Sequence, residues 1–265
     1  PGNKKRKGAA MYVLLTNDDG INSPALMPLK QALDRVAETI VFAPDRNWSA
    51  SGHPKTMHKP LRADRVTLPD GSQGFSCSGA PSDCVALAWL GVVERKIDLV
   101  VSGINLGFNL GYDIFYSGTV AAAVEGVINT APAIALSCDP NATPDFAPLA
   151  GFAAYLVQQV EHHGVPVDTF LNVNFPPVPW EQVKGVSITR LGRRVYRDEL
   201  VARTDPRGRP YYWIGGEPPG GAPDSGTDIW AISNAHVSIT PVHLDMTAYH
   251  FREDLRRWHL KVERA

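Results

Sequence analysis

Asp18 and Asp19 stand side by side in the stretch LLTNDDGINSP (residues 14–24), directly before Gly20. Two carboxylates within a few ångströms raise one another's pKa unless a positive charge intervenes. A divalent cation is the natural compensator. Adjacent side chains of an extended chain point to opposite faces, so both acids reach one centre only where the chain turns, and Gly20 makes that turn easy. Oxygen donors from neighbouring loops, Ser49 and Asn105 foremost, would complete a hard-oxygen shell that suits Mg²⁺ or Mn²⁺ better than zinc. A plainer reading stands beside this one. An Asp pair can simply cap a turn, and Ser49 and Asn105 can be ordinary loop hydrogen-bonding residues.

A second stretch, YSGTVAAAVEG (116–126), opens a helix on Ser117, Gly118 and Thr119 and continues in alanines. Small residues let such a helix dock tightly on a sheet. Its first N–H groups and two hydroxyls would then make an anion site suited to phosphate, while Ser117 alone can also serve as a plain N-cap. Upstream, GINLGFNLG (103–111) sets a glycine at every fourth position with Asn105 and Asn109 between, a tight loop with two amides aimed inward. The chain has no GxxxxGK[ST], no GxSxG and no HExxH, which removes the main support for a P-loop ATPase, an α/β-hydrolase or a zincin. None of the eight histidines has metal-ligand spacing; His53 is the one expected near the site.

Elements must bring these loops together. Apolar runs at 11–16, 39–43, 98–102, 133–137 and 170–174 read as strands, and their lack of alternation implies a parallel sheet covered on both faces. Helices are expected over 24–37, with Ser23 as N-cap and Pro24 at its first position, over 82–95, from about Thr119, and over 147–162. In such a sheet ligands bind beyond the carboxyl ends of the strands, near a switch in strand order. The loops after the first three strands deliver Asp18 and Asp19, then Ser49, then Asn105 to Thr119. The expected architecture is a Rossmann-like, doubly wound, mostly parallel α/β sheet. Residues 1–10 read as a disordered extension, 11–175 as the α/β catalytic core, and 176–265 as a β-rich extension of hairpin arms with a terminal helix at about 249–262, expected to serve oligomerisation and to close onto the same domain.

Bulk composition excludes several classes. With 26 Lys+Arg against 27 Asp+Glu, nothing pulls the chain toward a nucleic acid polymer or a membrane. No apolar run approaches the roughly 20 residues of a membrane helix. Three cysteines without CxxC spacing argue against a disulfide framework and a thiolate zinc site, so a cytoplasmic location is expected.

In order and spacing, LLTNDDGINSP, VFAPDRNWSASGH, SGAPSDCVALAW, DLVVSGINLGFNLGYDIFYSGTVAAAVEG, DPRGRPYYWIGG and GTDIWAISNAHVSITPVHLDMT closely resemble the SurE family of metal-dependent nucleoside monophosphate phosphatases. The resemblance implies that Asp18, Asp19, Ser49 and Asn105 hold one Mg²⁺ or Mn²⁺ ion per subunit. It also implies that Asn109 and Ser117, Gly118 and Thr119 contact the phosphate, with Asp18, Asp19 and Asn109 catalytic. One departure is that Gly52 stands where many family members carry a later serine. The expected activity is hydrolysis of nucleoside 5′- and 3′-monophosphates in a homodimer or homotetramer. DxDx[TV], the mark of an aspartyl-phosphate route, is absent because Gly20 replaces its second aspartate, so direct attack by water is expected. The alternative is a non-catalytic nucleotide sensor using the same strand ends.

Overall fold

The structure, a computed structural model, describes residues 10–48, 52–139, 145–221 and 224–262. In chain order the elements are β1 (Tyr12–Thr16), α1 (Leu26–Leu33), β2 (Glu38–Pro44), β3 (Ala63–Thr67), β4 (Gln73–Cys77), α2 (Pro81–Leu87), β5 (Leu99–Leu106), α3 (Gly118–Ile128), β6 (Ala133–Cys138), α4 (Phe146–His163) and β7 (Thr169–Asn174). They continue with β8 (Gly185–Ile188), β9 (Arg194–Thr204), β10 (Pro210–Gly221), α5 (Asp228–Ser233), β11 (His236–His243) and α6 (Tyr249–Arg256). Nine strands form one sheet in the order β3-β4-β2-β1-β5-β6-β7-β11-β8, and β9 with β10 forms a separate two-stranded ribbon.

From β2 to β7 every pairing is parallel. All five residues of β1 are buried, because the sheet is covered on both faces. Val13, Leu15 and Val101 pack beneath α1 and α4 (Leu29, Leu33, Ala153, Val157). Tyr12, Leu14 and Val100 pack beneath α2 and α3 (Val85, Ala122, Ala123). The smallness of α3 is a packing requirement: a Cβ on Gly126 would lie 2.8 Å from Val100 Cγ2. Strand order reverses between β1 and β5, the switch point at which a ligand site is expected.

Four expectations change. Ser23 does not cap α1, which begins at Leu26 after Ala25 and has no side-chain cap. Ser23 instead closes a turn, donating its N–H to the Gly20 carbonyl and accepting from Leu26 N–H. The hairpin of β3 and β4 was not anticipated; β3 is a partly exposed edge strand carrying Asp64 and Arg65, so it lacks an apolar run. The helix expected over 82–95 is α2 followed by a π-helical turn (Ala88–Val92) that breaks at Gly91, φ +113°. The terminal helix ends at Arg256 rather than 262. Beyond residue 175, β11 pairs antiparallel with β7, and β8 adds alongside it.

Candidate active site

The turn that carries the acids is closed by a side chain. Asn17 Nδ2 donates to the Gly20 carbonyl, and Gly20 N–H donates back to Asn17 Oδ1, both at 3.0 Å. Gly20 takes φ +95°, and a Cβ there would meet the Arg46 backbone at 3.0 Å. Glycine is thus required both for conformation and for approach to the loop after β2. That loop is sewn to the turn: Ile21 N–H donates to Pro44 O and Trp48 N–H to Asp18 O, at 2.8 and 2.7 Å.

The two carboxylates meet different neighbours. Thr119 Oγ1 donates to Asp18 Oδ1 at 2.5 Å, with both residues buried. Burial nevertheless pushes the Asp18 carboxyl up to about 6, with the Asp19 charge adding to the rise and the Thr119 hydroxyl and N–H opposing it. Burial also raises Asp19, against a bond from Leu106 N–H. Asn47 Nδ2 reaches Asp19 Oδ1 at 3.3 Å, while Asp19 Oδ2 is buried with no hydrogen-bond partner. Among the described residues no Lys or Arg forms an ion pair with either acid. A buried carboxylate oxygen left unsatisfied next to a second acid in the chain fits a cation, since an unpaired buried charge is costly.

The other expected ligands are placed unequally. Asn105 is the next-to-last residue of β5, just after a bulge that follows Ser102. Its side chain donates to Gly107 O at 2.8 Å, and its carbonyl accepts from the Cys138 thiol at 3.4 Å. That thiol is pushed up to about 12 by burial, then by the Asp139 and Asp19 charges, so it stays protonated. Ser49 lies outside the described residues; the residues that bracket 49–51 are tied to the site, Trp48 to Asp18 and Gly52 N–H to Tyr116 O at 3.0 Å. His53 Nε2 lies 3.2 Å from Glu125 Oε2, and Lys55 Nζ the same distance from Oε1. These bonds, His53's foremost, hold the buried Glu125 carboxyl below its usual range. Asp83 accepts from Thr56 N–H and O–H, at 2.9 and 2.7 Å. The segment beyond Ser49 is therefore anchored on α2 and α3.

Asn109 is held more firmly than its loop position suggested. Its N–H donates to Asn174 Oδ1, its carbonyl accepts from the amides of Asn172 and Asn174, and its own amide donates to Ser137 Oγ at 2.7 Å. Ser137, Asn172 and Asn174 are hydrogen-bonding neighbours of Asn109 that sequence reasoning passed over. The signal was present in FLNVN, where two amides fall on one face of an apolar strand. Ser117 caps α3, its Oγ accepting from Val120 N–H. The Thr119 hydroxyl, expected at the phosphate, donates to Asp18 in this structure. Gly118 completes the contact, since a Cβ there would sit 2.9 Å from Asp18 Cβ. Gly118→Ala is expected to lower unfolding free energy by about 1–3 kcal/mol through overpacking, read from the denaturant midpoint. An unchanged midpoint would show that Asp18 yields freely.

A doubly wound sheet with paired acids and a helix start meeting at its switch point defines a ligand-binding α/β protein. Comparison narrows the class. The model described as Survival protein SurE matches residues 13–198. A "5'-nucleotidase SurE" of Chloroflexus aggregans is 52% identical over 250 residues, spanning 94% of this chain and 99% of that protein. Its counterpart in Symbiobacterium thermophilum is 47% identical over 251 residues, 94% and 98% of the two chains. The crystal structure of the SurE protein from Aquifex aeolicus is similar with a TM-score of 0.83 at 41% identity, covering 94% of this chain and 100% of that one. The chain belongs to the SurE family.

Proposed function

We propose that this protein is a phosphomonoesterase that hydrolyses nucleoside 5′-monophosphates, and 3′ esters, to nucleoside and phosphate. The observation that carries the reading is the uncompensated pair Asp18 and Asp19, with Asp19 Oδ2 buried and unpartnered, beside the start of α3. The names of the relatives support the substrate class. Asp18, Asp19, Ser49 and Asn105 would hold one Mg²⁺ or Mn²⁺ ion. Such an ion, when bound, polarises a phosphoryl oxygen and lowers the pKa of a water.

The chain's own groups supply the rest. Asn109 Nδ2 spends one hydrogen on Ser137 and has a second to offer a phosphoryl oxygen. The Ser117 oxygen accepts from Val120 N–H, which leaves its hydroxyl proton free to donate. With Gly118 at the helix start these donors stabilise charge on the phosphoryl group. Thr119 belongs to the same cradle and acts through Asp18, fixing the carboxylate that faces the cation. Water attacks phosphorus directly and loses a proton, the phosphorus–oxygen bond to the nucleoside breaks, and the departing nucleoside oxygen takes up a proton from solvent.

A panel of nucleotides and simple phosphate esters, assayed after chelation and with Mg²⁺ or Mn²⁺ restored, tests the reading. Hydrolysis of AMP that depends on the added ion supports it. Nucleotide binding without turnover under every ion would instead favour a sensor. Thr119→Val sharpens the assignment. Losing a hydrogen bond to a charged group costs about 1.5–3 kcal/mol, or roughly one to two decades in kcat/KM. Because the hydroxyl holds Asp18, the half-saturating Mn²⁺ concentration should rise with the loss. A fall in kcat/KM with unchanged Mn²⁺ dependence would place the hydroxyl on the phosphoryl group instead.

A further inference from the structure

Asp228, the first residue of α5, is fully buried and makes no ion pair among the described residues. Backbone N–H groups satisfy it instead. Oδ2 accepts from Gly111 at 2.7 Å, and Oδ1 accepts from Gly192 at 2.7 Å and Ile229 at 2.8 Å. Asp228 N–H donates to Arg190 O at 3.0 Å. The knot is close-packed: a Cβ on Gly192 would lie 2.9 Å from Asp228 Oδ1 and 2.8 Å from Ile229 Cδ1. A buried carboxylate without a cation is a costly way to fix a short helix, so what it reaches is informative. Gly111 opens the 3-10 turn Gly111–Phe115 that leads into Ser117, and Tyr116 N–H bonds back to Asp113 O. Two residues before Gly111, Asn109 is locked to Asn172 and Asn174 of β7.

The segment between Asn109 and Ser117 therefore has two anchors. One is β7 of the central sheet; the other, 117 residues further along the chain than Gly111, is Asp228. We propose that Asp228 is a positioning residue that sets the spacing of Asn109 and Ser117, so that phosphate recognition at the sheet depends on a residue from the C-terminal part of the chain. The proposal rests on the reading of those two residues as phosphate contacts. It assigns Asp228 no contact with substrate or cation, which gives a distinctive signature. Phosphate recognition should suffer while the cation site does not.

The test uses the full chain carrying Asp228→Asn. Asparagine keeps the shape, but its amide nitrogen faces a backbone N–H donor, so at least one tie is lost. At saturating Mn²⁺, kcat/KM for AMP should fall tenfold or more, and the inhibition constant of inorganic phosphate should rise by a similar factor. The half-saturating Mn²⁺ concentration should stay within twofold of wild type. Gly192→Ala, whose added Cβ would press on Oδ1, should show the same pattern and decides the matter if Asp228→Asn does not fold. Unchanged kcat/KM overturns the proposal. So does a joint loss of Mn²⁺ and phosphate affinity, which would mark a general loosening. If the wild type hydrolyses no phosphate ester with any ion, the nucleotidase reading fails by itself. Calorimetric titration of wild type and variant with inorganic phosphate then tests the tie directly, with equal affinity overturning it.

Discussion

Asp18→Asn and Asp19→Asn should each abolish turnover, and the first should make the metal-free protein more stable. The loss follows from the proposed cation site: removing one of its two charged ligands forfeits several kcal/mol of transition-state stabilisation. A loss of about 4 kcal/mol is roughly a thousandfold in rate. The gain follows from linkage. Asp18 has a folded pKa of about 6 against an ordinary value of 3.8, so burial favours its neutral form. The stability this confers is fully present below the unfolded value and is lost as pH rises through the folded one. From pH 4 to 6 the metal-free wild type should lose about 2 kcal/mol, and about 3 kcal/mol over the whole span from below the unfolded value to well above the folded one. The substituted asparagine has no charge to bury, and it keeps an oxygen for the Thr119 donors. Above pH 6 the variant should therefore melt higher than the wild type in a chelating buffer, by roughly 5–10 °C. Mn²⁺ should raise the wild-type Tm and leave the variant's almost unmoved. Ser49→Ala should be milder in turnover, since a neutral hydroxyl binds a cation less strongly. Near wild-type turnover of either Asp variant at saturating Mn²⁺ would remove that residue from the site.

The parts of this arrangement that were legible in the sequence are those written in local runs. β1 reads as a strand because all five of its residues are buried between helices, and the apolar runs of β5, β6 and β7 read the same way. Asp18 and Asp19 announced themselves as a pair of like charges at a strand end. What stabilises them could not be read locally. Thr119 is 101 residues from Asp18, and a serine-glycine-threonine helix start is equally apt for a phosphate and for a carboxylate from the chain itself. In the folded chain the Thr119 hydroxyl donates to Asp18. Asn17 was visible beside the acids, but its two bonds to Gly20 depend on the turn they close. β3 escaped notice because an edge strand can be polar on both faces, and Asp64 and Arg65 gave it the texture of a loop. Asp228 escaped because an aspartate after a threonine looks like ordinary helix capping. Thr227 does cap α5 through Trp230 N–H, while Asp228 turns inward to Gly111 and Gly192.

Light scattering at micromolar concentration should return a mass of at least twice the 28.8 kDa chain. The hairpin of β9 and β10 pairs only with itself among the described strands, and an isolated two-stranded ribbon is at best marginally stable in water. Yet Leu200, Tyr212, Trp213 and Ile214 on it are 71%, 61%, 64% and 82% exposed. α6 buries no residue at all, although Tyr249 and Phe251 lie on it and Trp258, which meets Phe251 edge-on at 5.9 Å, follows it. Apolar surface of this kind on two projecting elements marks an interface, and closed symmetry with a second copy is its commonest partner. We therefore propose that the arms assemble the protein as a homodimer or homotetramer. Trp213→Glu with Ile214→Glu would place charge in the middle of the ribbon's apolar patch, and the mass should fall by a factor of about two. The main sheet, which the ribbon does not join, should keep its far-ultraviolet signal. A wild-type mass of one chain would sink the proposal. A double variant with wild-type mass would show that the ribbon is not the contact and leave α6 as the surface to change next.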